Sequence, residues 1–153
     1  MEVKKAFDKA SLNCVMTSPK IQKDLAKTCA QEVTKVILDG IGDKNFSVLI
    51  DESRDVSIKE QMVVILRYVN NQGKVVERFL GIKHIKSCAS TTLKKALFDM
   101  FGNRLSVCKL CGQGYDGASN MRGEFNGLQR LIRDENPMSF TFIALLIRCS
   151  WWL

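Results

Sequence analysis

The stretch from Phe46 to Asp55 constrains the chain more than any other, because a largely apolar run, Phe46-Ser47-Val48-Leu49-Ile50, leads straight into Asp51-Glu52-Ser53-Arg54-Asp55. Such a run, bounded by Asp43-Lys44-Asn45 on one side and the charged cluster on the other, predicts a central strand covered on both faces. Ligands and chemistry in open α/β sheets gather at the carboxyl ends of such strands. Asp51 is therefore the first candidate for a functional carboxylate. The competing reading is an aspartate that only caps the following turn.

The chain has 153 residues, 46% hydrophobic and 25% charged, which suits one ordinary domain with a sizeable core. Its formal net charge of +7 is spread along the sequence without a basic block. A dispersed excess of this kind suits contact with nucleic acid and equally a solvated surface, and the solvated surface is the default. The six cysteines, Cys14, Cys29, Cys88, Cys108, Cys111 and Cys149, show no framework spacing, and Met1-Glu2-Val3-Lys4-Lys5 is too polar for a secretory signal. The expectation is an intracellular, reduced protein, cytoplasmic unless family says otherwise, not secreted and with no membrane partner. Cys108-x-x-Cys111 stands without a second pair, and His84 is distant in sequence, so buried strand cysteines are the preferred reading over zinc or redox chemistry.

Residues 1–16 lack periodicity and predict an irregular or partly helical lead-in. Ser18-Pro19 offers a cap with proline at the first helical position, and Gly40 offers a stop. Between them Ile21, Leu25, Cys29, Val33, Val36 and Ile37 form a stripe that predicts a packing helix. Gln61 to Val69 reads as a second strand, Asn70-Asn71-Gln72-Gly73 as a tight turn, and Lys74 to Ile85 as a third strand, antiparallel to the second. Ser90-Thr91-Thr92 offers a cap for a helix ending near Gly102-Asn103. A fourth strand over Leu105 to Cys111, a loop over Gly112 to Gly117 and a helix over Ala118 to Asp134 complete the series.

Two sites emerge. Gly112-Gln113-Gly114-Tyr115-Asp116-Gly117 matches G-x-G-x-x-G between a strand and a helix, which imitates a dinucleotide fingerprint and would make the chain a nucleotide-binding oxidoreductase. That motif belongs on the first strand of a βαβ unit, and Asp116 would set a negative charge beside a pyrophosphate. The oxidoreductase is accordingly the weakest of the readings. In the other, Asp51 and Asp116 end two adjacent strands, where a pair of carboxylates holds divalent metal of the kind that nucleases and transposases use to activate an attacking oxygen. Three antiparallel strands, a helix and a parallel strand ending in a second acid is the element order of a ribonuclease-H-like α/β domain with a mixed sheet.

Phe46 to Ser57 (FSVLIDESRDVS), Gly112 to Asn120 (GQGYDGASN) with Met121-Arg122-Gly123, and Gly127 to Pro137 (GLQRLIRDENP) resemble the transposase-derived domain of hAT-superfamily proteins. The resemblance is to the hAT-like domain found in zinc finger MYM-type or TTF-type proteins, and it covers about residues 16–137. It implies that Asp51 and Asp116 hold the first two positions of an Asp-Asp-Glu triad for Mg²⁺ or Mn²⁺. It also implies a DNA partner, a nuclear location and a family role in metal-dependent cleavage and strand transfer. The third position, a glutamate far downstream in the family, lies beyond these residues, as does the family's zinc-finger module. The expectation is a partial domain over residues 17–137, incomplete at its C-terminus, vestigial at Asp51 and Asp116 and catalytically inactive, without a functional metal. Its rival is a domesticated interaction module, with protein partners or a homo-oligomer, that needs neither acid.

From Met138 the resemblance stops. In the family the residues after Asn-Pro resemble a strand and helix of the form Tyr-x-x-Tyr-x-His-Cys-Phe-Ala-His-Gln-x-Gln-Leu. Codons can be chosen for Pro137 to Leu153 so that reading from the last base of the proline codon gives Tyr-Val-Phe-Tyr-Ile-His-Cys-Phe-Ala-His-Gln-Val-Gln-Leu. Residues 138–153 are thus expected to be an out-of-frame tail produced by loss of a single base, too short to span a bilayer and able to pair only as an improvised strand.

Overall fold

The structure, a computed structural model, describes residues 18–54, 59–115, 119–123 and 126–143. The chain divides into two compact units, Met1–Val36 and Ile37–Leu153. The expected lead-in over residues 1–16 lies outside the described residues.

The described part of the first unit is helical. Helix α1 runs Pro19–Ile41. Pro19 supplies the fixed φ of a first helical position, and the Ser18 hydroxyl accepts from the Ile21 amide at 3.3 Å, so the cap lies where the sequence predicts it. Over this length Ile21, Leu25, Val33 and Val36 of the predicted stripe are exposed, Val36 to 69%. Helical periodicity reports that one face is apolar, but not that anything covers it.

In the second unit the last turns of α1 bury Ile37, Leu38 and Ile41. The helix passes through Gly40, the expected stop, and ends one turn-position later, where Gly42 at φ 53° donates its amide to the Leu38 carbonyl at 3.0 Å. Gly40 has another use, since a Cβ there would lie 3.2 Å from the Tyr68 hydroxyl.

Strands β1 (Phe46–Arg54), β2 (Glu60–Val69) and β3 (Val75–His84) form an antiparallel meander. The turn between β2 and β3 works as its sequence indicates: the Asn70 side-chain oxygen accepts from the amides of Gln72 and Lys74, and Gly73 takes φ 75°. Helix α2 (Ser90–Phe101) follows, with Ala89 rather than a hydroxyl residue at its N-cap. Ser90 instead donates its hydroxyl to the Asn120 carbonyl at 2.9 Å.

Strand β4 (Leu110–Tyr115) pairs parallel to β1, and β5 (Phe140–Ile143) pairs parallel to β4, so the sheet order is β3-β2-β1-β4-β5. The expected fourth strand over Leu105 to Cys111 is displaced. Its first half is a 3₁₀ turn at Val107–Lys109, and the strand occupies Gly112 to Tyr115, the stretch read as loop. The glycines mislead because they serve packing: a Cβ on Gly114 would lie 2.6 Å from the Phe142 ring, and one on Gly112 would lie 2.8 Å from the Ser47 hydroxyl. The expected single helix after β4 is two, α3 (Ser119–Arg122) and α4 (Leu128–Glu135), separated where Gly123 and Gly127 weaken helical propensity.

Alternation along the strands assigns the two faces of the sheet. Val48, Ile50, Met62, Val64 and Leu66 turn to one side and are fully buried with Leu93 and Leu97 of α2 and Leu128 and Ile132 of α4. Each such aliphatic side chain contributes roughly 1.5–3 kcal/mol by leaving water. Phe46 meets Phe101 edge to face with centroids 5.6 Å apart, and Lys94 of α2 bridges to Glu135 of α4 at 2.6 Å. The other face carries Leu49, Val63, Ile65 and Phe79 and has no described helix upon it. Leu49 and Val63 on that face are buried all the same, so β1 is covered on both faces as its apolar run predicts.

Candidate functional site at the paired ends of β1 and β4

The parallel register brings Ile50 opposite Tyr115, the residues that immediately precede Asp51 and Asp116. Asp51 is half-buried and pairs with Val63 across β2, while β1 itself continues to Arg54 rather than ending at the acid. Asp116 and Asp55 lie outside the described residues. What β1 and β4 establish is the approach, two parallel neighbours whose last shared rung ends just before the two predicted acids.

Behind that rung the site is rigid. Tyr115 is fully buried and its hydroxyl donates to the Gln113 side-chain oxygen at 2.5 Å. Burial pushes the phenol far up from its ordinary range, so it stays a neutral donor. Gln113, also fully buried, turns its amide to the carbonyls of Gln129 and Ser139 at 3.4 Å, which links β4 to α4 and to the approach of β5.

Glu52 alternates to the face opposite Asp51. Its carboxylate accepts from the Asn120 amide at 2.8 and 2.9 Å through its two oxygens, and the same amide reaches the Cys88 carbonyl at 3.2 Å. One asparagine therefore ties the end of β1 to the start of α2 and to α3. The Cys88 thiol is pushed up to about 11 by burial, with the Glu52 and Glu60 carboxylates beside it adding to the effect. At neutral pH it is a thiol, not a nucleophile.

A second asparagine does similar work behind β4. Asn136 is buried and donates to the carbonyls of Val107 and Leu110, both at 2.8 Å, while its oxygen accepts from the Met138 amide at 3.1 Å. Sequence reasoning missed both asparagines. Each stood inside a quoted motif, and a buried amide that serves three segments leaves no spacing pattern to read.

The remaining candidates are placed plainly. Cys108 and Cys111 are both exposed, which corrects their reading as buried strand cysteines: the pair precedes and opens β4, on its rim instead of in its core. His84 is exposed at the end of β3. The strand-end carboxylates offer hard oxygen ligands, the kind Mg²⁺ or Mn²⁺ takes. Among the described residues, however, no group of three or more His, Cys, Asp or Glu comes together to hold an ion. The described donors do not by themselves make up such a site. Nor does β4 make a dinucleotide cradle, because Gly112 and Gly114 are strand residues packed under Phe142.

A three-stranded meander, a crossover helix, and parallel strands added on the side of β1 define a ribonuclease-like mixed α/β domain. The chain belongs to the family described as the ZMYM1/FAM200, RNase-like domain, which matches residues 1–127. This bears out the hAT transposase-derived resemblance and its fold. Among curated proteins, it is similar to the "52 kDa repressor of the inhibitor of the protein kinase" of Homo sapiens and of Mus musculus. Each is 19% identical over 155 aligned residues, covering 99% of this chain. The chain spans about a fifth of the length of these relatives, 20% in each case. No solved structure matches. Among the described residues no helix is long and apolar enough to cross a membrane.

Proposed function

We propose that this chain is a transposase-derived domain of the hAT kind that keeps two acids of a nuclease-type site, Asp51 and Asp116, and does not itself cut DNA. The observation that supports the reading is the parallel rung Ile50 to Tyr115, the last that β1 and β4 share before the two acids in sequence. Two carboxylates give a hard divalent cation fewer protein oxygens than a two-metal phosphoryl-transfer site uses. Mg²⁺ or Mn²⁺ is then held weakly at best, and a family role in cleavage and strand transfer is not carried by these residues alone. Contact with DNA rests on the net charge of +7 and on descent from a DNA-handling family. A nuclear location suits that descent and the word "repressor" in the relatives' names.

The test is a nicking assay with supercoiled DNA, the purified chain, and Mg²⁺ or Mn²⁺. The expected result is no conversion beyond the metal-only blank, unchanged by Asp51→Ala. Metal-dependent nicking that Asp51→Ala abolishes would overturn the inactive reading.

A further inference from the structure

Cys108 and Cys111 are both exposed, so packing does not account for them, and what the fold does instead is hold them at a fixed spacing. Three features do this. The first is the turn between them: the Lys109 amide donates to the Ser106 carbonyl at 3.0 Å and the Leu110 amide to the Val107 carbonyl, so the chain curls as it passes from one cysteine to the other. The second is a clamp. The buried Asn136 amide donates to the carbonyls of Val107 and Leu110, both at 2.8 Å, and these are the residues immediately before Cys108 and Cys111. The third is a bulge. Pairing of β1 with β4 passes from Phe46 opposite Leu110 to Ser47 opposite Gly112, which leaves Cys111 with no partner on β1. A bulge re-aims the side chain it carries, and the Cys111 thiol turns back onto the turn, donating to the Lys109 carbonyl at 3.7 Å.

We propose that Cys108 and Cys111 are a thiol–disulfide site, a dithiol that closes to an intramolecular disulfide by exchange with a small-molecule disulfide such as oxidised glutathione. The thiolate of one cysteine attacks a sulfur of the small disulfide, forming a mixed disulfide and releasing one small thiolate. The thiolate of the other then attacks the protein sulfur of that mixed disulfide, forming the Cys108–Cys111 bond and releasing the second. The protein pair is oxidised by two electrons, the small disulfide is reduced to two thiols, and the two protons leave with them. Because turn, clamp and bulge hold the second thiol beside the first, the closing step is intramolecular at a high effective concentration. The bond is easily reversed: a loop this short removes little entropy from the unfolded chain, and an exposed disulfide is open to an incoming thiolate. The pair opens β4, whereas the acids follow the far ends of the shared rungs, so the site does not rest on the reading of Asp51 and Asp116.

The test equilibrates the full, reduced chain in mixtures of reduced and oxidised glutathione, quenches with an alkylating reagent and maps the peptides. Lys109 lies between the two cysteines, so trypsin converts the disulfide into a linked pair of peptides, residues 105–109 with residues 110–122. The expected result is that this pair is the main oxidised product within one chain and that excess thiol removes it. Cys108→Ser should leave Cys111 as a mixed disulfide with glutathione, and Cys29, exposed but without a neighbour at this spacing, should form only mixed disulfides in the unaltered chain. The contribution of the fold is read by repeating the equilibrium in urea, where the constant for closing the pair should fall severalfold once the turn, the clamp and the bulge are lost. Separate glutathione adducts on Cys108 and Cys111 without the linked pair overturn the proposal. So does a pair linked between two chains, or a closing constant that urea leaves unchanged.

Discussion

At the scale of single residues, the glycines of β4 show how a motif is explained away by packing. Gly112 and Gly114 match the spacing of a phosphate-binding loop, yet each is required because another side chain occupies the space of its absent Cβ. Gly114→Ala should destabilise the domain by about 1–3 kcal/mol, the usual cost of overpacking a tight site. Because the clash is with one ring, adding Phe142→Val should recover much of the loss in a double-mutant cycle by urea denaturation. Additive losses would mean that the glycine is needed for its backbone and not for the ring. The strand that carries Asp51 was legible from the sequence because an apolar run of this kind is a local signal, although it continues to Arg54 instead of ending at the acid. Glu52, one residue on, carries no such signal, and its tie to Asn120 was invisible because it joins positions far apart in the chain.

At the scale of elements, local chemistry was read well where it is self-contained. The Ser18 cap and the Asn70 to Gly73 turn follow from residues within a few positions of each other. The errors fall where a distant neighbour decides. Strand β4 was shifted because Phe142 was not known to lie over it, and the helix after it was joined across Gly123 and Gly127. The junction of β1, α2 and α3 has a measurable consequence in Cys88. Its folded-state thiol ionises near 11, above the ordinary value of 9.0, so the protonated form is favoured in the fold. That contribution to stability is fully present below pH 9.0 and fades as pH rises toward 11. Site-resolved alkylation at pH 8 should therefore label Cys88 more slowly than the exposed Cys29, Cys108 and Cys111. Glu52→Gln, which removes one nearby negative charge, should speed it. Equal labelling of all four, insensitive to Glu52→Gln, would contradict this account of the junction.

At the scale of the whole molecule, the element order and the mixed sheet were legible from the alternation of strand and helix patterns, and the family match agrees with them. The fifth strand is more informative. Phe140–Ile143, expected to pair only as an improvised strand, pairs parallel with β4 and covers that edge. Reads of the gene or transcript across the Pro137 codon are expected to show that one restored base recovers the Tyr-x-x-Tyr-x-His-Cys-Phe-Ala-His pattern. If no single-base change does so, the tail is native and the frame argument ends.

The central claim is that Asp51 and Asp116 meet at one end of the sheet. Asp51→Cys with Asp116→Cys, in a chain whose six native cysteines are replaced by serine or alanine, tests it by cross-linking with a short bis-thiol reagent and peptide mapping. Neighbouring strands lie about 4.8 Å apart, so the account predicts rapid intramolecular cross-linking, matched by a control pair at Ser47→Cys and Gln113→Cys only if strand spacing alone were sufficient. Since Ser47 and Gln113 occupy opposite faces by register, that control should react slowly. A fast control with an unreactive 51–116 pair would place the two acids apart and contradict the account.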